Sequence, residues 1–145
     1  MPRIEAVTRF DFDEIVKVWE ASVRATHDFL SEADILAYRS MFPACLFSVD
    51  LYGLRDRGRI TGFLGVAGHK VEMLFIHPDY RRKGLGKMLM AFATEELNVN
   101  RVDVNEENTA AAEFYFHLGF EVTGRSVVDG LSKPHPLLHL ALRHR

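Results

Sequence analysis

Alternating stretches of apolar and polar residues divide the chain into eleven predicted elements. Short runs rich in β-branched and aromatic residues, such as 71–76, predict strands. Apolar residues at helical spacing, as at Ile15, Trp19 and Val23, predict helices. The predicted order is β-α-α-β-β-β-α-β-α-β-β, over residues 3–7, 12–25, 32–42, 46–54, 59–67, 71–76, 85–96, 101–104, 109–118, 120–127 and 137–142.

Turn and cap residues set the predicted boundaries. Ser31 is a predicted N-cap for the second helix, and Pro43 is predicted to close it. Gly119 stands where a residue just past the end of the last helix belongs. Cys45 lies between Ala44 and Leu46, which favours a small buried hydrophobic residue over a nucleophile.

Composition limits the class of protein. A chain of 145 residues with 48% hydrophobic and 26% charged residues predicts one globular domain over residues 1–145. A net charge of −2 offers no general attraction to nucleic acid or anionic lipid. No stretch is apolar enough to span a bilayer, and a single cysteine excludes an internal disulfide. The single cysteine fits a reducing compartment, so we expect a cytoplasmic protein. The histidines lack the spacing of a metal site, so we expect no metal.

The strand at 71–76 leads through His77-Pro78 into a glycine turn and a helix. Gly84 and Gly86 let the backbone approach a ligand closely. The first-turn amides of the helix have no intrahelical partner, and the positive end of the helix dipole lies behind them. Cationic side chains surround this turn: Arg81, Arg82, Lys83 and Lys87. The pattern predicts an anion site, for which a diphosphate is the best-fitting ligand.

The run Arg81-x-x-Gly84-x-Gly86, after a strand ending in His77-Pro78, resembles the signature of the GCN5-related N-acetyltransferases, the GNAT family. The resemblance implies a mixed α/β (α+β) fold with a mostly antiparallel central sheet and helices on both faces. It also implies that the turn binds the pyrophosphate of acetyl-CoA as co-substrate, and that an exposed strand edge bonds the rest of it. The implied cofactor-binding residues are Leu74, Phe75, Ile76, Arg81, Arg82, Lys83, Gly84, Leu85, Gly86, Lys87 and Asn108.

A second run, Asn108-x-x-Ala111-x-x-Phe114-Tyr115, is similar to another stretch of this family. Asn108 and Tyr115 are seven residues apart, which places them on one helical face. From the residues alone, Asn108 as a helix cap and Tyr115 as a core residue remain open. The resemblance implies that Asn108 contacts the pantetheine arm and that the Tyr115 hydroxyl lies near the thioester sulfur as a catalytic proton donor.

An acceptor amine must lose a proton before it attacks, because a lysine-like ammonium has a pKa of about 10.4. Asp103 and Glu72 are the candidate catalytic bases, and His27 and His69 are alternatives. A water relay without a dedicated base also stays open. The resemblance places the acceptor pocket near residues 22–30, where the candidate substrate contacts are His27, Asp28 and Phe29.

These features predict an N-acetyltransferase that transfers an acetyl group from acetyl-CoA to a primary amine, by direct attack in a ternary complex. The alternative is a non-catalytic acyl-CoA-binding sensor or adaptor on the same fold. The acceptor is a small-molecule or protein amine, and we expect a monomer or homodimer that binds neither nucleic acid nor a membrane.

Overall fold

The computed structural model describes residues 2–130 and 132–143. The chain forms two compact units, one up to Val99 and one from Asn100. The first contains β1 Arg3–Ala6, α1 Phe12–Thr26, α2 Glu32–Leu46, β2 Asp50–Asp56, β3 Arg59–Ala67, β4 Lys70–Ile76 and α3 Leu85–Glu96. The second contains β5 Arg101–Asn105, α4 Thr109–His117, β6 Phe120–Ser126 and β7 Leu137–Leu142. The predicted order of elements is confirmed, whereas the prediction of a single domain stays a prediction.

In the first unit, β1, β2, β3 and β4 pair consecutively, and every pair is antiparallel. Arg57 and Gly58 join β2 to β3, with φ values of 55° and 76°. Two successive positive φ angles are typical of a type I′ turn, whose twist matches that of the paired strands. The seven residues 60–66 of β3 are all buried, so both faces of this strand are covered.

Helices cover both faces of this sheet, as predicted. On one face Phe42 of α2 packs against Phe63, with ring centroids 6.3 Å apart. Leu64 follows Phe63 and therefore points to the opposite face. There Tyr52, which pairs with Leu64, contacts Phe92 of α3 at 5.1 Å.

The second helix differs from its predicted end. Ser31 caps it as predicted, accepting a hydrogen bond of 3.0 Å from the Asp34 amide. The prediction that Pro43 closes this helix is wrong, because α2 continues to Leu46. Phe42 and Leu46 are 7% and 1% exposed. Burial of their side chains offsets the backbone hydrogen bond that Pro43 cannot make.

Two further features follow from this longer helix. The next strand begins at Asp50 rather than at Leu46. Cys45 lies on the exposed side of α2, so the prediction of a buried cysteine is wrong. Among the helices of residues 2–130 and 132–143, none has both the length and the apolar character needed to cross a membrane.

In the second unit, β7 lies between β5 and β6, and both pairs are antiparallel. The core face of this sheet carries Val102, Leu140 and Phe120, each 1% exposed. Helix α4 packs on that face, where the Tyr115 and Phe120 rings lie 5.9 Å apart. Gly119 follows the helix C-cap with φ 97°, which confirms the predicted stop. The predicted mixed, mostly antiparallel α/β fold is confirmed.

Candidate active site

The glycine turn after β4 ends in a set of free backbone donors. Pro78–Tyr80 forms a single 3-10 turn, and Gly84 then takes the left-handed conformation at φ 75° as the N-cap of α3. The first intrahelical bond runs from the Met88 amide to the Gly84 carbonyl, at 3.0 Å. The amides of residues 85–87 therefore have no partner inside the helix. A Cβ at position 84 would meet no atom within 4 Å, so the space beside this backbone is open.

Exposed cations surround these amides. They belong to Arg81, Arg82, Lys83 and Lys87, and none of them forms an ion pair with a carboxylate of residues 2–130 or 132–143. The Lys83 ammonium lies 5.3 Å from the centroid of the Tyr80 ring. Leu85 is 7% exposed, so its backbone amide rather than its side chain faces the turn. Free amides, the helix dipole and unpaired cations together suit a diphosphate.

The ladder between β3 and β4 decides which β4 amides are available. The His77 amide donates to the Thr61 carbonyl at 2.8 Å, so this pair is of the hydrogen-bonded type. Antiparallel pairs alternate between hydrogen-bonded and non-bonded types. Phe75, opposite Phe63, therefore directs its amide toward β3. Leu74 and Ile76 direct their amides away from β3, which makes them the candidate donors on the other side of β4.

The connection between α1 and α2 brings the predicted acceptor residues to β4. The His27 ring lies 5.2 Å from the Phe29 ring and 6.5 Å from the Phe75 ring. Its Nδ1 atom is 2.8 Å from the Thr26 hydroxyl. Burial lowers the pKa of His27 below its usual value, although the neighbouring Asp28 carboxylate opposes this change. The imidazole is therefore neutral near physiological pH, while Asp28 is exposed.

Glu72 occupies an irregular position in β4. Met73 pairs with Gly65 and Val71 with Val66, so Glu72 is the extra residue of a β-bulge. Its carboxylate is exposed and lies 3.6 Å from the Lys70 ammonium. Bulges redirect side chains and are frequent beside active sites. The role of Glu72 as a base stays a prediction.

The two residues predicted on α4 have different environments: Asn108 caps the helix, and Tyr115 is buried. The Asn108 side chain accepts a hydrogen bond of 3.2 Å from the Ala111 amide, so it caps α4. Tyr115 is 6% exposed, and burial raises the pKa of its hydroxyl above the usual range. Among residues 2–130 and 132–143, no fully buried side-chain oxygen or nitrogen lacks a hydrogen-bond partner. Because its pKa is raised, the Tyr115 hydroxyl is protonated and neutral at neutral pH.

Asp103 has a partner that sequence reasoning missed. Its Oδ1 atom lies 2.7 Å from Nδ1 of His139, and Nε2 of His139 lies 2.7 Å from the Ser126 hydroxyl. The signal in the sequence was the placement of His139 and Ser126 on the last two strands, but their register was not readable. In the described part of the chain, no three His, Cys, Asp or Glu side chains form a metal site.

Comparison with known proteins adds independent information. Residues 48–122 match the family model described as an acetyltransferase (GNAT) domain. Peptidyl-lysine N-acetyltransferase YjaB of Salmonella typhimurium is 41% identical over 129 residues, which cover 88% of this chain and 89% of that protein.

Solved structures agree with this match. The solution structure of apo-form YjaB from Escherichia coli is similar with a TM-score of 0.91 and 36% identity, covering 100% of this chain and 99% of that one. The PaiA N-acetyltransferase of Thermoplasma acidophilum, solved in complex with coenzyme A, has a TM-score of 0.75 at 21% identity. It covers 96% of this chain and 98% of its own, and this likeness shows the fold. The chain belongs to the GNAT family of acetyltransferases.

Proposed function

We propose that this chain transfers the acetyl group of acetyl-CoA to the side-chain amine of a protein lysine. The observation that carries the proposal is the start of α3, where free amides and unpaired cations meet. The lysine acceptor is supported by the relative named peptidyl-lysine N-acetyltransferase, at 41% identity. A lysine in a protein is already held by its own backbone, whereas a small metabolite is positioned only by the enzyme.

In this proposal the glycine turn holds the diphosphate of acetyl-CoA. The amides of residues 85–87 donate to phosphate oxygens, and the side chains of Arg81, Arg82, Lys83 and Lys87 neutralise the remaining charge. Gly84 is needed because its backbone is left-handed at the point where the chain turns into α3. The pantetheine arm follows the side of β4 that faces away from β3, and Asn108 is a further contact for it.

The thioester carbonyl gains negative charge when the amine attacks. In our proposal a β4 amide that points away from β3, from Leu74 or Ile76, stabilises this charge. A backbone amide is already fixed by the strand, so little reorganisation accompanies the reaction. Phe75 is not the donor in this proposal, because its amide belongs to the ladder with β3.

The leaving thiolate needs a proton. Tyr115 supplies it in our proposal, because its hydroxyl stays protonated well above neutral pH. A raised tyrosine pKa makes full transfer uphill, whereas desolvation also raises the pKa of the thiol. The tyrosine therefore acts mainly as a hydrogen-bond donor, with the proton transferred late.

The acceptor lysine enters, in our proposal, beside the connection from α1 to α2. Phe29 and the neutral His27 form an apolar wall along Phe75, and Asp28 adds a carboxylate at the exposed rim. A carboxylate at the rim attracts an ammonium, and an apolar wall favours the neutral form of the amine.

We place this activity in the cytoplasm, consistent with one unpaired cysteine, Cys45.

The proposal is tested with a panel of peptides that each contain one lysine. We expect release of free thiol in equal amount to acetyl-lysine, and no release without peptide. Thiol release with spermidine but with none of the peptides would contradict the lysine acceptor. Coenzyme A binding without thiol release for any amine would identify a non-catalytic domain.

The phosphate site is tested at Gly84 with a matched pair of variants. Both Asn and Asp tolerate the left-handed conformation, but only Asp adds a negative charge beside the diphosphate. We expect Gly84→Asp to bind coenzyme A at least about tenfold more weakly than Gly84→Asn by calorimetry. Equal dissociation constants in two folded variants would remove the turn from the binding site.

The donor assignment on β4 is tested by replacing single amides with esters. A hydroxy-acid analogue at position 74 or 76 removes an N–H that points away from β3. We expect one of these two changes to lower kcat by about 100-fold, because the thioester carbonyl loses its donor. The same exchange at position 75 serves as the control, because it should lower stability and spare kcat. A loss of kcat only at position 75 would reverse the assignment.

The role of Tyr115 is tested by Tyr115→Phe. The ring keeps its packing against Phe120, so folding and coenzyme A affinity should persist. Turnover should fall by about 100-fold or more, because the thiolate loses its donor. Since the raised pKa keeps the hydroxyl protonated, wild type should retain this contribution up to at least pH 10. Tyr52→Phe is the control, and equal rates for Tyr115→Phe and wild type would make the hydroxyl structural.

A further inference from the structure

A cavity of about 700 Å³ lies between the tip of the β2–β3 hairpin and the segment that leads from β4 into α3. Its lining consists of Pro2, Asp56, Arg57, Arg59, Tyr80 and Lys83, which all belong to the first unit. The side chains of Arg57, Arg59 and Lys83 are exposed, so the cavity is open to solvent. Because Lys83 directly precedes Gly84, the cavity adjoins the glycine turn that binds the diphosphate in our proposal.

The strand register places this cavity on the face of the sheet that α3 covers. Tyr52 contacts Phe92 of α3, and Asp56 shares the face of Tyr52 because side chains alternate along β2. Arg59 is the partner of Asp56 in the antiparallel ladder and therefore lies on the same face. The rings of the proposed acceptor site lie on the opposite face, against α1 and α2. The cavity is thus on the side of the diphosphate rather than on the side of the acceptor.

The cavity wall carries three cations and one carboxylate. Across residues 2–130 and 132–143, no carboxylate forms an ion pair with Arg57, Arg59 or Lys83. The carboxylate of Asp56 offsets one of these charges, which leaves the wall with a positive balance. A guanidinium group presents a planar set of donors that matches the oxygens of a phosphate. The composition of the wall therefore suits a phosphate group.

The backbone conformation of Arg57 supports a role in binding. Arg57 has a φ of 55° at the first central position of the hairpin turn. Asn, Asp and Gly are the usual residues at this position, because most other side chains are strained in the left-handed conformation. Residues held in such conformations are found mainly at ligand-binding and active sites. An arginine is therefore an unfavourable choice for the turn itself, and a bound anion accounts for it.

Lys83 connects the cavity with the start of α3. Its ammonium lies 5.3 Å from the centroid of the Tyr80 ring, a cation–π contact that holds it on the cavity wall. The Tyr80 ring in turn contacts the His77 ring at 6.0 Å. Positive charge thus extends from the hairpin tip to the amides of residues 85–87. A ligand with two separate phosphate groups fits this arrangement better than a ligand with one.

We propose that the cavity binds the 3′-phosphate of coenzyme A. This inference rests on the proposed binding of acetyl-CoA at the start of α3. One ribose of coenzyme A carries both the 5′-diphosphate and the 3′-phosphate, so their two sites on a protein must be adjacent. A phosphate monoester has a charge of about −1.5 to −2 near pH 7, which the wall can balance. Arg57 and Arg59 donate to its oxygens, and Lys83 lies between the two phosphate groups.

The assignment makes the hairpin tip a determinant of co-substrate specificity. Dephospho-coenzyme A differs from coenzyme A only by lacking the 3′-phosphate, so the cavity discriminates between the two. The 3′-phosphate is remote from the thioester, and its contacts are the same in the ground state and in the transition state. Loss of these contacts should therefore raise KM for acetyl-CoA and leave kcat unchanged.

The test measures the affinities of coenzyme A and dephospho-coenzyme A by calorimetry. The variants are Arg57→Asn and Arg59→Gln, which each remove one positive charge from the cavity wall. Asn is favoured at the first central position of this turn, so Arg57→Asn should fold at least as well as wild type. The control is Arg9→Gln, an exposed arginine over the Phe10 ring that does not line the cavity.

We expect wild type to bind coenzyme A at least about tenfold more tightly than dephospho-coenzyme A. Arg57→Asn and Arg59→Gln should each weaken coenzyme A binding by about fivefold and change dephospho-coenzyme A binding by less than about twofold. KM for acetyl-CoA should rise by the same factor as the dissociation constant of coenzyme A. Arg9→Gln should match wild type with both ligands.

Each contrary result has a distinct meaning. Equal affinities of wild type for the two ligands would overturn this inference and leave the diphosphate site intact. Binding of adenosine 3′,5′-bisphosphate to protein saturated with coenzyme A would make the cavity a separate nucleotide site. Variants with unchanged coenzyme A affinity but lower kcat/KM for acidic lysine peptides would assign the cavity to the protein substrate. If wild type binds neither ligand, the proposed acetyl-CoA site fails, and this inference fails with it.

Discussion

The hydrogen bonds that α3 leaves unmade at its first turn are the constraint on which the site depends. Those amides bind an anion only if the helix starts at the end of β4 and points its N-terminus outward. The left-handed Gly84 makes that start possible, and burial of Leu85 and Leu89 fixes the helix on the sheet. The sheet thus holds the helix and its unpaired amides in place. The four cations add positive charge nearby and do not occupy those amides.

A second constraint is the alternation of the antiparallel ladder. It leaves every second amide of β4 directed away from β3, as at Leu74 and Ile76. Donors of this kind belong to the backbone, so almost any side chain is compatible with them. The residues that identify the site are therefore those that shape the backbone, chiefly Gly84 and the bulge at Glu72. In the proposed reaction, side chains contribute charge at the diphosphate and proton chemistry at the acceptor amine and the leaving thiolate.

Local signals in the sequence predicted those features of the fold that depend on neighbouring residues in the chain. The caps at Ser31 and Asn108, the stop at Gly119 and the order of elements are confirmed, because each depends on neighbours in the chain. The predictions that failed concern features that depend on non-local packing. Pro43 lies inside α2 because Phe42 and Leu46 are buried by distant residues. The contact of Asp103 with His139 depends on the register of β5 against β7, and composition and spacing carry no record of that register.

Tyr115 illustrates how burial supports the proposed chemistry. It lies with α4 on the core face that carries Phe120 and Leu140. Burial raises the pKa of its hydroxyl, so this group stays protonated at the pH where the proposed leaving thiolate needs a donor. The packing that stabilises the C-terminal unit therefore also sets the protonation state on which the proposed role of Tyr115 depends.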